Sequence, residues 1–218
     1  GKKETEYLGV IAGNGCLRPS PDKIEAVRNW PLPETQRQVK SFVAFCSFYR
    51  KFVHHFADCS APLTDMTRKG KPGKVVWDST ARVAFETLKA RMISAPLLQI
   101  PTIGSNAEFI VATDASNVGL GAVLLQEDSE GSVRPCAYWA RELNVAERNY
   151  SAYDLEALCV VEAVSRVWRM YLDGATSITV VTDHATLVHL LKQPRMNLTK
   201  RQAHFVEKLM PCTGTIWR

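Results

Sequence analysis

Three acidic residues that lie far apart in the sequence are the strongest candidates for a shared chemical site. Asp114 directly follows the apolar run FIVAT, and Asp183 directly follows the similar run ITVVT. Such runs are typical of buried strands, and sites form at the strand ends of α/β sheets. Glu156 lies in the first turns of a predicted helix, at the edge of its apolar stripe. We therefore expect the three carboxylates to converge at one edge of a sheet.

The expected chemistry of this cluster is metal-assisted hydrolysis. Converging carboxylates with no Lys or Arg in their motifs repel each other, and divalent cations relieve that repulsion. Mg²⁺ prefers hard oxygen ligands, and Mn²⁺ is the alternative ion. Two such ions about 4 Å apart can activate a water and stabilise the leaving oxygen of a phosphodiester. The sequence thus predicts Asp114, Glu156 and Asp183 as both metal ligands and catalytic residues.

Other interpretations of the same acids stay open at this level. An Asp after a strand can form a turn or cap a helix, and a Glu near a helix N-terminus is favoured by the helix dipole. Paired carboxylates also serve aspartic proteases and glycosidases. Only the metal site requires all three side chains to meet, so their convergence is the feature that separates these interpretations.

The distribution of charge predicts a nucleic-acid partner. Residues 1–101 hold 16 Lys and Arg against 9 Asp and Glu, so 16 − 9 = +7, whereas residues 102–218 hold 11 against 13, so 11 − 13 = −2. A basic front half can attract a polyanion, although exposed charges are often only solvated surface. The cations we expect to contact phosphates are Lys40, Arg50, Lys51, Lys200 and Arg201.

Composition narrows the class of protein. Apolar residues make up 46% and charged residues 22% of the chain, which favours a packed core over disorder. The apolar runs are far shorter than the roughly 20 residues of a membrane-spanning helix, and the N-terminus has no secretory leader pattern. None of the six cysteines forms a C-x-x-C pair, which argues against a zinc site and a disulfide framework. An intracellular protein with reduced thiols is expected.

The predicted elements place the acids on a mixed sheet. In the front half, a strand over 7–11 and a return strand over 16–18 flank a hairpin turn at Asn14-Gly15, and helices span about 21–29, 61–69 and 79–93. Another helix begins at a capping box at Thr35 and carries a stripe that predicts a core rather than a base-stacking platform: Phe42, Phe45, Tyr49, Phe52 and Phe56. After a boundary within 95–106, the predicted strands are 109–112, 119–126, 135–140, 178–181 and 213–217, and the predicted helices are 151–172, 185–192 and 199–210. This order implies an α/β domain with helices covering the sheet.

Many short motifs, in one order, resemble the C-terminal part of gypsy-type (LTR) retrotransposon reverse transcriptases. In the front half these are Y-L-G-V at 7–10, L-R-P-S-P-D-K-I-E-A-V at 17–27, S-F-V-A-F-C-S-F-Y-R-K-F-V at 41–53 and A-P-L at 61–63. In the back half they are A-T-D-A-S at 112–116, G-A-V-L-L-Q at 121–126, A-E-R-N-Y-S at 146–151 and T-D-H at 182–184. The resemblance extends over nearly the whole chain.

The resemblance implies a layout and an activity. Residues 1–20 would be the last hairpin of the polymerase palm, 21–95 a small, mainly helical thumb, and 106–218 a ribonuclease H-like mixed sheet with flanking helices. The family's metal-binding acids carry over to Asp114, Glu156 and Asp183. The implied function is cleavage of the RNA strand of an RNA–DNA hybrid, with the hybrid or a template–primer duplex and the rest of the polyprotein as partners.

The resemblance also sets expectations about what this chain lacks. The polymerase signature Y-x-D-D is absent, so nuclease activity alone is expected. The family's fourth Asp follows the last strand, and the expectation is a C-terminally truncated domain without it. The alternative function is a non-catalytic module from a degenerate retroelement that binds nucleic acid or protein. The expected location is cytoplasmic or nuclear, or inside a virus-like particle, with no membrane partner.

Overall fold

A computed structural model of the chain describes residues 4–71, 73–104, 106–184, 187 and 198–209, together with the backbone of 215–217. Two units account for the chain, Gly1–Ile100 and Pro101–Arg218. No helix in the described ranges combines the length and apolar character that a membrane crossing needs.

The first unit opens with a four-stranded antiparallel sheet in the order β1-β2-β3-β4. The strands are β1 (Glu4–Tyr7), β2 (Val10–Gly13), β3 (Cys16–Pro19) and β4 (Leu98–Gln99). Asn14 and Gly15 have φ values of 51° and 73°, as a tight hairpin turn requires, so the predicted turn is confirmed. The prediction of one strand over 7–11 is wrong, because Leu8 and Gly9 also have positive φ and turn the chain between β1 and β2.

Four α-helices complete the first unit. They are α1 (Pro21–Arg28), α2 (Gln36–Phe48), α3 (Phe56–Asp65) and α4 (Ser79–Ile93). The predicted capping box at the start of α2 is present, since Thr35 accepts from the Gln38 amide and the Gln38 side chain accepts from the Thr35 amide. The aromatic stripe is a core, with Phe42, Tyr49, Phe52 and Phe56 buried.

The stripe is divided among several elements. The α2 helix ends at Phe48, a 3₁₀ turn follows at Arg50–Phe52, and α3 begins only after His55, whose φ is 52°. His55 has a left-handed backbone conformation, which ends the α-helical path. The aromatic residues on both sides of this interruption nevertheless face the core. The helix predicted over 61–69 therefore starts earlier, at Phe56.

The second unit contains a five-stranded mixed sheet in the order β7-β6-β5-β8-β9. Its strands are β5 (Glu108–Ala115), β6 (Gly119–Glu127), β7 (Val133–Glu142), β8 (Ser177–Val181) and β9 (Thr215–Trp217). The first three are antiparallel neighbours, whereas β8 is parallel to β5 and β9 is parallel to β8. Together with its helices, this sheet confirms the predicted α/β fold class.

Three described helices accompany this sheet. They are α5 (Ala152–Glu162), α6 (Arg169–Leu172) and α7 (Lys200–Leu209). The helix predicted over 151–172 is interrupted by a π-helical segment, Ala163–Val167, in which the Trp168 amide donates to the Ala163 carbonyl. The helix predicted over 185–192 lies outside the described residues, apart from Leu187.

The main core of the second unit lies between β5, β6, β8 and the inner faces of α5 and α7. It includes Phe109, Val111, Leu124, Val160 and Val180, all 0–1% exposed. Burying a side chain of this size contributes about 1.5–3 kcal/mol. A smaller apolar cluster consists of Leu120, Leu143, Leu155 and Cys159. These two clusters hold α5 against the sheet and so fix where its side chains lie.

Candidate metal centre

The register of two parallel strands brings Asp114 and Asp183 side by side. The last paired residues of β5 and β8 are Ala112 and Val181. Asp114 comes two residues after the first of these (114 − 112 = 2), and Asp183 two residues after the second (183 − 181 = 2). Parallel strands end at the same edge, so these equal offsets place both aspartates together there. Both side chains are exposed.

The third acid reaches the same edge from helix α5. Ser151 caps this helix by accepting from the Asp154 amide at 3.1 Å, as the predicted helix start requires. Glu156 follows within the first turns and is only 5% exposed. Its Oε1 accepts a 2.9 Å hydrogen bond from the backbone amide of Ala115, the residue after Asp114. This contact joins the helix directly to the end of β5.

The three carboxylates therefore meet. One carboxylate oxygen from each of Asp114, Glu156 and Asp183 lies within 4.8 Å of the other two. Hard cations such as Mg²⁺ prefer such an all-oxygen donor set. Of the open interpretations, the turn-forming and capping roles need no such meeting of three side chains.

The environment of Glu156 opposes its negative charge. Burial raises the pKa of Glu156 to about 7, and the neighbouring Asp183 and Asp114 charges add to this rise. The Ala115 amide and the Thr182 hydroxyl act in the opposite direction and lower it. The Oε2 oxygen is buried, and no group in the described part of the chain meets hydrogen-bond geometry there. A buried acceptor without a partner is costly, and a cation would satisfy it.

The family of the second unit follows from this fold and this cluster together with a sequence comparison. The profile described as the RNase H-like domain found in reverse transcriptase matches residues 105–212. Residues 105–212 are an RNase H-like domain. The matched range contains all three clustered acids, and it begins close to the unit boundary at Pro101.

Polyproteins of retrotransposons are similar to nearly the whole chain. The Pol polyprotein of transposon 297 from Drosophila melanogaster is 34% identical over 94% of this chain, and that of transposon gypsy from the same organism is 31% identical over 95%. The chain spans only 19% and 20% of these two relatives' lengths. The predicted resemblance to gypsy-type elements is confirmed.

Solved structures share the fold. A foamy viral protease-reverse transcriptase in complex with double-stranded DNA has a TM-score of 0.74 and 15% identity, covering 100% of this chain and 38% of its own. The same type of protein in complex with an RNA/DNA hybrid has a TM-score of 0.74 and 17% identity, covering 100% of this chain and 29% of its own. At such identity the likeness concerns the fold alone.

The five predicted phosphate contacts lie in different environments. Lys40 and Arg50 are exposed on the first unit, whereas Lys51 is half-buried, with its ammonium 5.2 Å from the centroid of the Phe52 ring. Burial lowers the pKa of Lys51. Lys200 is exposed at the start of α7 of the RNase H-like domain. Their contact with nucleic acid stays a prediction.

Arg201 has partners within the RNase H-like domain. One of its Nη atoms lies 2.7 Å from an Oδ of Asp154, and its guanidinium carbon lies 3.6 Å from the centroid of the Tyr150 ring. Asp154 belongs to the first turn of α5, and Tyr150 immediately precedes that helix's cap. Arg201 therefore attaches the start of α7 to the start of α5.

We expect Arg201→Ala to destabilise the RNase H-like domain by about 1 kcal/mol, because a partly exposed ion pair and a cation–π contact are both lost. Denaturant unfolding measures this change, and a double-mutant cycle with Asp154→Asn isolates the ion pair. Lys200→Ala, one residue away and exposed, is the control. An unchanged free energy of unfolding in Arg201→Ala, combined with weaker nucleic-acid binding, would assign the residue to phosphate contact alone.

Sequence reasoning missed the groups that hold the cluster in place. The backbone amide of Ala115 has no sequence signal, and neither does the thiol of Cys159, which lies within hydrogen-bonding distance of two carbonyls of the sheet. The Arg141 guanidinium contacts both Glu147 and Glu162 at 2.7 Å and so ties β7 to α5. A signal for Glu147 existed, since Asn144-x-x-Glu147 is a capping-box pattern and both reciprocal bonds are 2.9 Å.

Proposed function

We propose that this chain is the RNA–DNA hybrid endoribonuclease module of a retrotransposon reverse transcriptase. The single observation that carries the proposal is the convergence of Asp114, Glu156 and Asp183 within 4.8 Å at one edge of an RNase H-like sheet. The cofactor we propose is Mg²⁺, with Mn²⁺ as the alternative. The reaction is hydrolysis of a phosphodiester in the RNA strand.

The donor set fits a divalent ion of this kind. All three groups are carboxylates, and the buried Oε2 of Glu156 lacks a hydrogen-bond partner among the described residues. When bound, two such ions stabilise charge on the phosphate and its leaving oxygen and make water a stronger nucleophile. Asp114, Glu156 and Asp183 would hold them.

The protein's own contribution is to position and to expose the ligands. Glu156 is fixed by burial and by the Ala115 amide, so one ligand oxygen is oriented before any ion binds. Asp114 and Asp183 are exposed, which leaves their side of the cluster open to a phosphate of the substrate. One rigid, buried ligand beside two solvent-exposed ligands suits an ion that must also contact the substrate.

The basic character of the first unit supports a nucleic-acid substrate. We propose that residues 1–20 are the last hairpin of a polymerase palm, that residues 21–95 are a thumb, and that Lys40, Arg50 and Lys51 contact the phosphates of the duplex. In the RNase H-like domain, Lys200 and Arg201 would contribute in the same way. Contacts of this kind make affinity fall steeply with salt. The ribose 2′-OH is the group that distinguishes the RNA strand from DNA.

The Pol relatives suggest the remaining partners. The polyproteins of transposons 297 and gypsy are about five times longer than this chain. We propose that the module acts beside the rest of such a polyprotein, inside the cell or a virus-like particle, where RNA is copied into DNA. A template–primer duplex is then the second nucleic acid it would contact.

The test is cleavage of an end-labelled RNA strand in a hybrid by the full 218-residue chain, with Mg²⁺ and with Mn²⁺. We expect the RNA strand of the hybrid to be cut, while double-stranded DNA of the same sequence stays intact and EDTA abolishes cutting. Hybrid binding without turnover in either metal would instead favour a non-catalytic nucleic-acid-binding module. A folded chain that binds no nucleic acid at low salt would favour a protein-interaction module.

A further inference from the structure

We propose that Cys159 is a positioning residue that fixes Asp114 relative to Glu156 in the metal centre. The inference rests on the function proposed above. Cys159 carries no ligand role here, because it acts on the backbone of the strand that bears Asp114.

The thiol lies against one cross-strand pair of the sheet. Its Sγ is 3.2 Å from the carbonyl oxygen of Gly121 and 3.6 Å from that of Asp114. Asp114 and Gly121 are direct partners in the register of β5 and β6. Cys159 thus contacts both strands at the point where the first acid emerges.

The same helix makes a second contact one turn earlier. Glu156 precedes Cys159 by three residues on α5, so the two side chains project from the same face. Glu156 accepts from the Ala115 amide, whereas the single thiol hydrogen of Cys159 is shared between the Gly121 carbonyl, at 3.2 Å, and the Asp114 carbonyl, at 3.6 Å. Contacts from one helix to two consecutive strand residues restrain both translation and rotation of α5 at this point. We infer that this pair of contacts limits the variation in the separation of the Asp114 and Glu156 carboxylates.

The surroundings of Cys159 suit a positioning role. The residue is 0% exposed and packs with Leu120, Leu143 and Leu155. Burial raises the pKa of the thiol, and the nearby Glu156 charge adds to that effect. A buried, protonated thiol is a weak but directed donor, and water does not compete for the two carbonyls.

The experiment compares Cys159→Ala, which removes the donor, with Cys159→Ser, which keeps a donor on a shorter bond. Cys136→Ala is the matched control, since Cys136 is buried in the larger core of the same domain on β7. The first readout is amide hydrogen exchange at Ala115 in metal-free full-length protein. The second is Mn²⁺ binding followed by the paramagnetic resonance signal of the free ion, with Asp114→Asn as the ligand control.

We expect Cys159→Ala to speed exchange at Ala115 by about fivefold beyond any change in the rest of the domain, as loss of one hydrogen bond allows. We expect its Mn²⁺ affinity to fall about tenfold, the low end for removing a hydrogen-bond partner around metal ligands. Cys159→Ser should recover part of both effects, and Cys136→Ala should show neither.

Two results would overturn the inference. The first is amide exchange at Ala115 that is no faster in Cys159→Ala than in Cys136→Ala. The second is unchanged Mn²⁺ affinity in Cys159→Ala under conditions where Asp114→Asn has lost Mn²⁺ binding. A wild-type chain that binds no Mn²⁺, while Ala115 still responds to Cys159→Ala, would reject the metal-dependent function and leave the positioning contact standing. The two failures are thus distinguishable.

Discussion

Asp114→Asn is expected to reduce hybrid cleavage by about a thousandfold. The substitution keeps the size of the side chain but replaces a charged ligand oxygen at the open side of the cluster with a neutral amide. Divalent ions supply several kcal/mol of transition-state stabilisation, and losing about 4 kcal/mol of it corresponds to about a thousandfold in rate. Single-turnover cleavage of the labelled hybrid at saturating Mg²⁺ measures the effect.

Asp173→Asn is the matched control for this experiment. Asp173 is exposed on the same domain and pairs only weakly, at 3.5 Å, with exposed Arg169, so its substitution makes the same change in net charge away from the cluster. We expect near wild-type cleavage from it. Because Asp114 is exposed and adjoins two other acids, its loss of charge should not lower stability. Equal cleavage by wild type and Asp114→Asn would remove Asp114 from the mechanism.

The strand-end acids could be predicted because their signal is local. Each apolar run fixes a strand, and the residue that follows lies at the strand's end whatever the rest of the fold does. The sequence alone does not show that Ala112 pairs with Val181. This pairing is what places Asp114 and Asp183 at equal distances along their strands, two residues after the paired positions. Register is a property of two distant segments, so it depends on packing rather than on either run.

The elements that were predicted wrongly share a physical cause. The turn at Leu8-Gly9 and the left-handed His55 both depend on a backbone conformation that apolar periodicity does not reveal. The π segment Ala163–Val167 likewise changes the hydrogen-bond ladder while the apolar pattern continues. A pattern of hydrophobic residues reports which side is buried, but it does not report how the backbone keeps that side facing the core.

The chemistry of the cluster was more predictable than its support. Three acids that are expected to converge suggest a metal site, whereas Cys159 and the Ala115 amide gain their role only from a helix lying on the sheet within hydrogen-bonding distance. Cysteine is usually a small apolar core residue, so its presence in a helix predicts burial and nothing further.

Glu156→Gln is expected to stabilise the metal-free domain at alkaline pH. The Glu156 pKa is raised from 4.5 to about 7 in the folded protein. Below about pH 4.5 the group is protonated in both the folded and the unfolded chain, so its burial has no extra cost. Between pH 4.5 and 7 the unfolded chain loses this proton first, so the free energy of unfolding falls as pH rises, by at most about 3 kcal/mol. The neutral glutamine removes this slope.

Calorimetric unfolding in EDTA between pH 4.5 and 8 measures the slope, and Glu130→Gln, an exposed glutamate of the same domain, is the control. We expect the variant to exceed wild type in stability at pH 8 and to match it near pH 4.5. Added Mg²⁺ should stabilise wild type at pH 8, because a bound ion favours the ionised carboxylate, and should stabilise the variant far less. Parallel pH profiles for wild type and Glu156→Gln, with equal responses to Mg²⁺, would mean that Glu156 neither bears a burial penalty nor holds the ion.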